Sequence, residues 1–173
     1  MIDSLVEFAL RNFTLTFLVI GLLCSLVSLV KNTKPLHKKI IVEAIFSYFL
    51  LFSIGIGHIY NFVCHVFFAE MSAAFIGWGN SPFQYEVGFA SLGFGVVGLI
   101  AFRAGLGFRA AAVTAPAFFL WGAAGGHVYQ MVKAHNFSPG NAGIIFWTDI
   151  LLPIIGFILL YHQYKLEKTE TAT

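Results

Sequence analysis

The segment Ile40–Phe68, IIVEAIFSYFLLFSIGIGHIYNFVCHVFF, decides the fold. It is long and apolar enough to cross a bilayer core, for which a helix needs about 20 residues. Yet it carries Glu43, His58 and His65. At about 100° per residue, Glu43, Ser47, His58, Asn61 and His65 fall within a stripe of roughly 60°. Leu50, Leu51 and Ile54 interrupt that stripe halfway along. The helix is therefore expected to carry two polar patches, Glu43 with Ser47 at one end and His58, Asn61 and His65 at the other, with an apolar stretch between them.

Four further runs have the same character, near Phe13–Val30, Pro82–Phe102, Ala110–Val132 and Ile144–Tyr164. They are long and do not alternate, so helices are favoured over barrel strands. Across the 173 residues, 58% are hydrophobic and 10% charged, far below the roughly 25% charge of a water-soluble domain. The composition argues against a soluble enzyme, a disordered regulator or a secreted scaffold. The expected architecture is one all-α integral membrane domain over residues 1–173, a transmembrane bundle of five helices. Cys24 and Cys64 lie in different runs with no paired motif, so no disulfide framework is expected. The N-terminus is acidic, and no small-residue cleavage site follows the first run, which is read as a retained span.

Orientation follows from the basic residues. If five helices alternate, Lys31, Lys34, Lys38, Lys39, Arg103, Arg109, Lys165 and Lys168 fall on one side, and Arg11 and Lys133 on the other. Such a split places the N-terminus outside and the C-terminus in the cytoplasm. Trp78, Tyr85, Tyr129 and Trp147 then belong to the outer aromatic belt. The lipid bilayer is the expected partner. No basic stripe is large enough for nucleic acid, and a homo-oligomer or another membrane partner is left open. Ser81-Pro82-Phe83-Gln84 reads as a capping box opening the third span, and Ser138-Pro139-Gly140-Asn141 as a turn leading into the fifth. Glu70–Asn80 is too polar to span and is either a surface loop or a short interfacial helix. The last residues, 168–173, are expected to fray.

Ionisable side chains inside spans usually face a bundle interior or a water-filled cavity. At about 1.5 Å per residue, His58, His65, Glu86, His127 and Asp149 come to one layer in the outer half, with Asn61 in support. Glu70 and Gln84 sit just above as a mouth. Three readings of that layer stand side by side. It can be a structural network that locks the bundle. It can be a transition-metal site, since imidazoles with carboxylates suit zinc, iron or manganese. Or it can be part of a proton or small-solute pathway. His58 and His65 lie about 10 Å apart along the helix, which strains a single-ion site. Gly122 and Gly126 beside His127 are read first as helix packing. No phosphate loop, dinucleotide loop or nucleophile elbow is present, so enzymatic activity is left open.

The run Gly57-His58-Ile59-Tyr60-Asn61, followed by Trp78-Gly79-Asn80-Ser81-Pro82-Phe83-Gln84-Tyr85-Glu86-Val87-Gly88-Phe89-Ala90, resembles a family of small bacterial multi-pass membrane proteins of unknown function. The resemblance covers most of the chain, with Trp78–Gln84 its most specific part. It implies a bacterial inner-membrane protein and adds weight to Glu70, Gln84, Glu86 and His127 as members of a shared site. It implies no activity.

Overall fold

The computed structural model describes residues 2–171. Every regular element among them is helical. In order they are α1 (Ile2–Arg11), α2 (Phe13–Val30), α3 (Lys38–Phe49), a π-helical segment (Leu50–Ile56), α4 (Gly57–Phe67), α5 (Ala69–Ile76), α6 (Phe83–Ala101), α7 (Leu106–Ala134), α8 (Pro139–Ala142) and α9 (Ile144–Thr171). Five helical stretches are long and apolar enough to cross a membrane: Phe13–Val30, Lys38–Phe67, Phe83–Ala101, Leu106–Ala134 and Pro139–Thr169. They coincide with the five runs read from the sequence. The fifth continues past Tyr164 through Thr171, so the tail expected to fray is helical that far. The rest of that expectation falls on Ala172 and Thr173, outside the described residues.

Three features were not foreseen. Residues 2–11 form a helix whose apolar arc (Ile2, Leu5, Val6, Leu10) is exposed and whose opposite side carries Asp3, Glu7 and Arg11. The second span is not uniformly α-helical, because Leu50–Ile56 winds as a wider π turn at mid-depth. The expected capping box at Ser81 does not form: no side chain caps α6, and Gln84 is spent elsewhere. The region 70–80 resolves into α5, ended by Gly77 in the left-handed conformation at φ 76° that glycine tolerates.

Apolar burial does not drive helix association inside a bilayer, so close packing must. The tightest crossing lies between α6 and the π segment. A Cβ on Gly98 would stand 2.5 Å from the Gly55 nitrogen and 2.8 Å from its Cα, so only glycine allows this backbone approach. Gly95 sits as closely against Ile59, and Gly88 against Val66 of α4. α7 lies along α9, and α2 along α3; Thr14 and Thr148 hydrogen bond at 2.7 Å to tie α2 to α9. α6 meets α7 far more sparsely than it meets α4. Phe46, Phe49, Leu50, Ile54, Val113, Leu120 and Leu152 form the buried apolar core at mid-depth. This core includes Leu50 and Ile54, two of the residues expected to separate the polar patches.

Candidate functional site

The two patches of the second span end up in unlike surroundings. At the basic end of the bundle, Glu43 accepts a bidentate pair from Arg109, with both nitrogen–oxygen distances at 2.7 Å. The Arg109 guanidinium is 1% exposed. It also donates to Ser47 Oγ, to Gln163 Oε1 and to the carbonyls of Ala101 and Phe102. It lies over the Phe46 ring at 5.4 Å. Its donors are thus spent within the protein, fastening α3, the end of α6, α7 and α9 together. In the sequence Arg109 presents itself only as a topological charge. Its position at the start of a span gave no sign that it turns inward.

At the other end, α4, α6, α7 and α9 surround a cavity of about 560 Å³. His58, Asn61, His65, Gln84, His127 and Asp149 line it, so six of the residues expected to share a site do line one cavity. Glu86 does not. It is exposed, on the face of α6 turned away from the cavity. The reason is the glycine face: Gly88, Gly95 and Gly98 must point at the second span, and that sets the rotation of α6. Glu70 is also exposed and lies in a separate surface hollow with Tyr85. The expected mouth of Glu70 and Gln84 is therefore not formed, since Gln84 is buried inside.

Each cavity histidine commits its Nδ1 to an oxygen. His58 Nδ1 is 2.9 Å from the Ile54 carbonyl, His65 Nδ1 is 2.5 Å from Gln84 Oε1, and His127 Nδ1 is 2.8 Å from Asn141 Oδ1. A carbonyl can only accept, so His58 carries its proton on Nδ1, and the neutral ring presents Nε2 as a bare acceptor. The Asn141 amide is oriented by the Trp78 indole, which can only donate and does so to Oδ1 at 2.8 Å. Asn141 Nδ2 donates to the carbonyls of His127 and Asn136. His127 Nδ1 is therefore also a donor, and its Nε2 faces Asp149 Oδ2 at 3.6 Å, beyond a direct hydrogen bond. Asn141, wholly buried in α8, was read from sequence as a turn residue. Only the fold shows that it orients His127.

Two buried polar side-chain atoms among the described residues have no hydrogen-bond partner, Ser53 Oγ and His58 Nε2. Both residues line the cavity. Ser53 belongs to the π segment, and such single wide turns recur at functional sites. Gly122 and Gly126 also line it. A Cβ on Gly122 would meet nothing within 4 Å, so this glycine leaves space instead of packing against a helix. Among the described residues no three His, Cys, Asp or Glu side chains stand together as a metal would require. The donor set anticipated for zinc, iron or manganese is not assembled.

Fold and cavity together define an all-helical bundle with five helices fit to cross a membrane, built around a chamber with polar groups on an apolar wall. The chain belongs to a family of unknown function, DUF6790, which matches residues 11–169. No curated protein and no solved structure matches it.

Proposed function

We propose that this is an integral protein of the bacterial plasma membrane, N-terminus outside and C-terminus in the cytoplasm. We propose that its outer-half cavity binds a small, mainly apolar molecule bearing a hydroxyl group. The observation that carries the reading is that two residues lining the cavity, Ser53 and His58, each hold a buried polar side-chain atom with no hydrogen-bond partner, Ser53 Oγ and His58 Nε2. Leaving a buried polar group unpaired costs about 1–3 kcal/mol. A ligand hydroxyl suits either atom, because it can accept from a serine hydroxyl or donate to a bare imidazole nitrogen. The volume lies within the roughly 300–1,000 Å³ of small-molecule sites, and a mostly apolar lining with a few fixed polar groups is their usual composition. His127 and Asp149, which also line the cavity, give such a ligand a second polar contact.

The other readings fit less well. A path across the membrane would have to pass the apolar core of Phe49, Leu50, Ile54, Val113 and Leu120. The structural-lock reading describes the Arg109 cluster, where the donors are spent, but not a wall with orphaned atoms.

The test uses 4-bromophenol as the probe and Trp78, on the cavity wall, as the reporter, in a Trp121→Phe/Trp147→Phe background. We expect saturable quenching of Trp78 fluorescence by the bromine. In His58→Leu the half-saturating concentration should rise at least tenfold, the equivalent of about 1.4 kcal/mol. Quenching that never saturates, or that is unchanged in His58→Leu, overturns the reading. Orientation is tested separately, with Cys24 and Cys64 replaced by alanine. Thr33→Cys and Leu106→Cys should react with an impermeant thiol reagent only from the cytoplasmic side, and Asn80→Cys and Asn136→Cys only from outside. Labelling of positions 80 and 106 from the same side would end the five-span topology.

A further inference from the structure

The geometry points to a lateral opening of the cavity between α6 and α7, so that the ligand is a long-chain alcohol or similar hydroxyl-headed amphiphile taken from the outer leaflet. This inference rests on the binding reading above and names the class of ligand and its route. The two helices are joined at the basic end, where Arg109 of α7 donates to the carbonyls of Ala101 and Phe102. They are joined again at mid-depth, where the rings of Phe94 and Phe119 stand 5.3 Å apart. Beyond that pair they face each other across the cavity, Phe83, Gln84 and Val87 from α6, Gly122, Ala123 and Gly126 from α7. On the α7 side, a Cβ at Gly122 would meet nothing within 4 Å.

The flanks of this gap are apolar and uncovered. Phe83 is 68% exposed and Phe118 is 66% exposed, and both line the cavity. Phe118 lies twelve residues into α7, about 18 Å from its start, so in a bilayer its exposed ring faces acyl chains, not water. At the loop end the Trp78 indole lines the cavity. It is fixed by its bond to Asn141, lies 5.4 Å from the His127 ring and meets Gly126 closely. His58, 5% exposed, lines the cavity and carries the unpartnered Nε2. A chain lying in the gap would set its hydroxyl at His58 and Ser53 and leave its tail among the lipids.

The test compares two alcohols brominated next to the hydroxyl, 2-bromohexan-1-ol and 2-bromodocosan-1-ol, at equal mole fractions in nanodiscs of defined phospholipid. The reporter is again Trp78 alone. If the tail leaves sideways, both give a saturable component with half-saturating mole fractions within about threefold of each other, and His58→Leu removes it. That component should also stay constant when the lipid is doubled at fixed mole fraction. A loss of more than tenfold for the 22-carbon alcohol, with the six-carbon alcohol and 4-bromophenol still bound, overturns the lateral opening and leaves the cavity reading intact. Failure of both alcohols and of 4-bromophenol overturns the two together.

Discussion

The two polar clusters of this bundle use the same second span in opposite ways. Around Arg109, the guanidinium meets two carboxylate oxygens, a hydroxyl, an amide oxygen and two carbonyls. Around His58, a buried ring nitrogen and a serine hydroxyl have no hydrogen-bond partner. Both clusters place polar groups at a depth where they are expensive. The difference lies in how completely the protein satisfies its own groups. A saturated cluster holds helices together and has nothing to offer a ligand. An unsaturated one contributes little to holding the fold and keeps bonding capacity for a guest.

The sharpest way to break this comparison is to remove the saturated centre. Arg109→Leu should lower unfolding stability in detergent micelles by about 3 kcal/mol. That is the lower end of the range for a broken buried pair, because the Glu43 side chain is 51% exposed and can be rehydrated. Arg109→Lys should recover only part of this, since an ammonium cannot reproduce the bidentate fork. A loss below about 0.5 kcal/mol, the level of an ordinary surface substitution, would mean the cluster is not a lock. A second contrast lies between two glycines. Gly98→Ala drives a methyl into the Gly55 backbone and should cost roughly 1–2 kcal/mol by overpacking. Gly122→Ala enters open space and should change stability by less than about 0.5 kcal/mol. Equal costs would place Gly122 at a helix contact. The smallest effect is expected at the unsaturated centre. His58→Leu should leave thermal stability unchanged or raise it by up to about 1 kcal/mol, because it removes an unpaired buried acceptor. A marked loss would show that His58 supports the fold and would weaken the case for a receiving site.

The spans were legible in the sequence because each is a long apolar run. So was the joint placement of His58, Asn61 and His65, because helical spacing alone puts residues three and four apart on one face. Rotation about each helix axis was not legible for the others. Glu86 looked equivalent to His127 in depth, yet three glycines on α6 set its rotation and turned Glu86 outward. Arg109 was hidden by its neighbours: beside Arg103 and the lysines it reads as one more cytoplasmic charge, and only its depth among Phe46, Ser47 and Gln163 reveals its role. Asn141 and Ser53 carried no signal, since asparagine is common in turns and serine is tolerated in membrane helices. The π turn at Leu50–Ile56 has no sequence signature that periodicity detects.

The apolar core at mid-depth has an electrical consequence. A transmembrane voltage of 100 mV does about 2.3 kcal/mol of work on each charge carried fully across, and it falls mainly over the least polarisable layer. In this bundle that layer is the slab of Phe46, Phe49, Leu50, Ile54, Val113, Leu120 and Leu152, with the histidine chamber on one side and the arginine cluster on the other. Filling or emptying the chamber with a neutral guest moves almost no charge through the field. If the chamber takes a neutral guest as proposed, that exchange is independent of membrane potential, and the apolar slab is the layer across which the voltage falls.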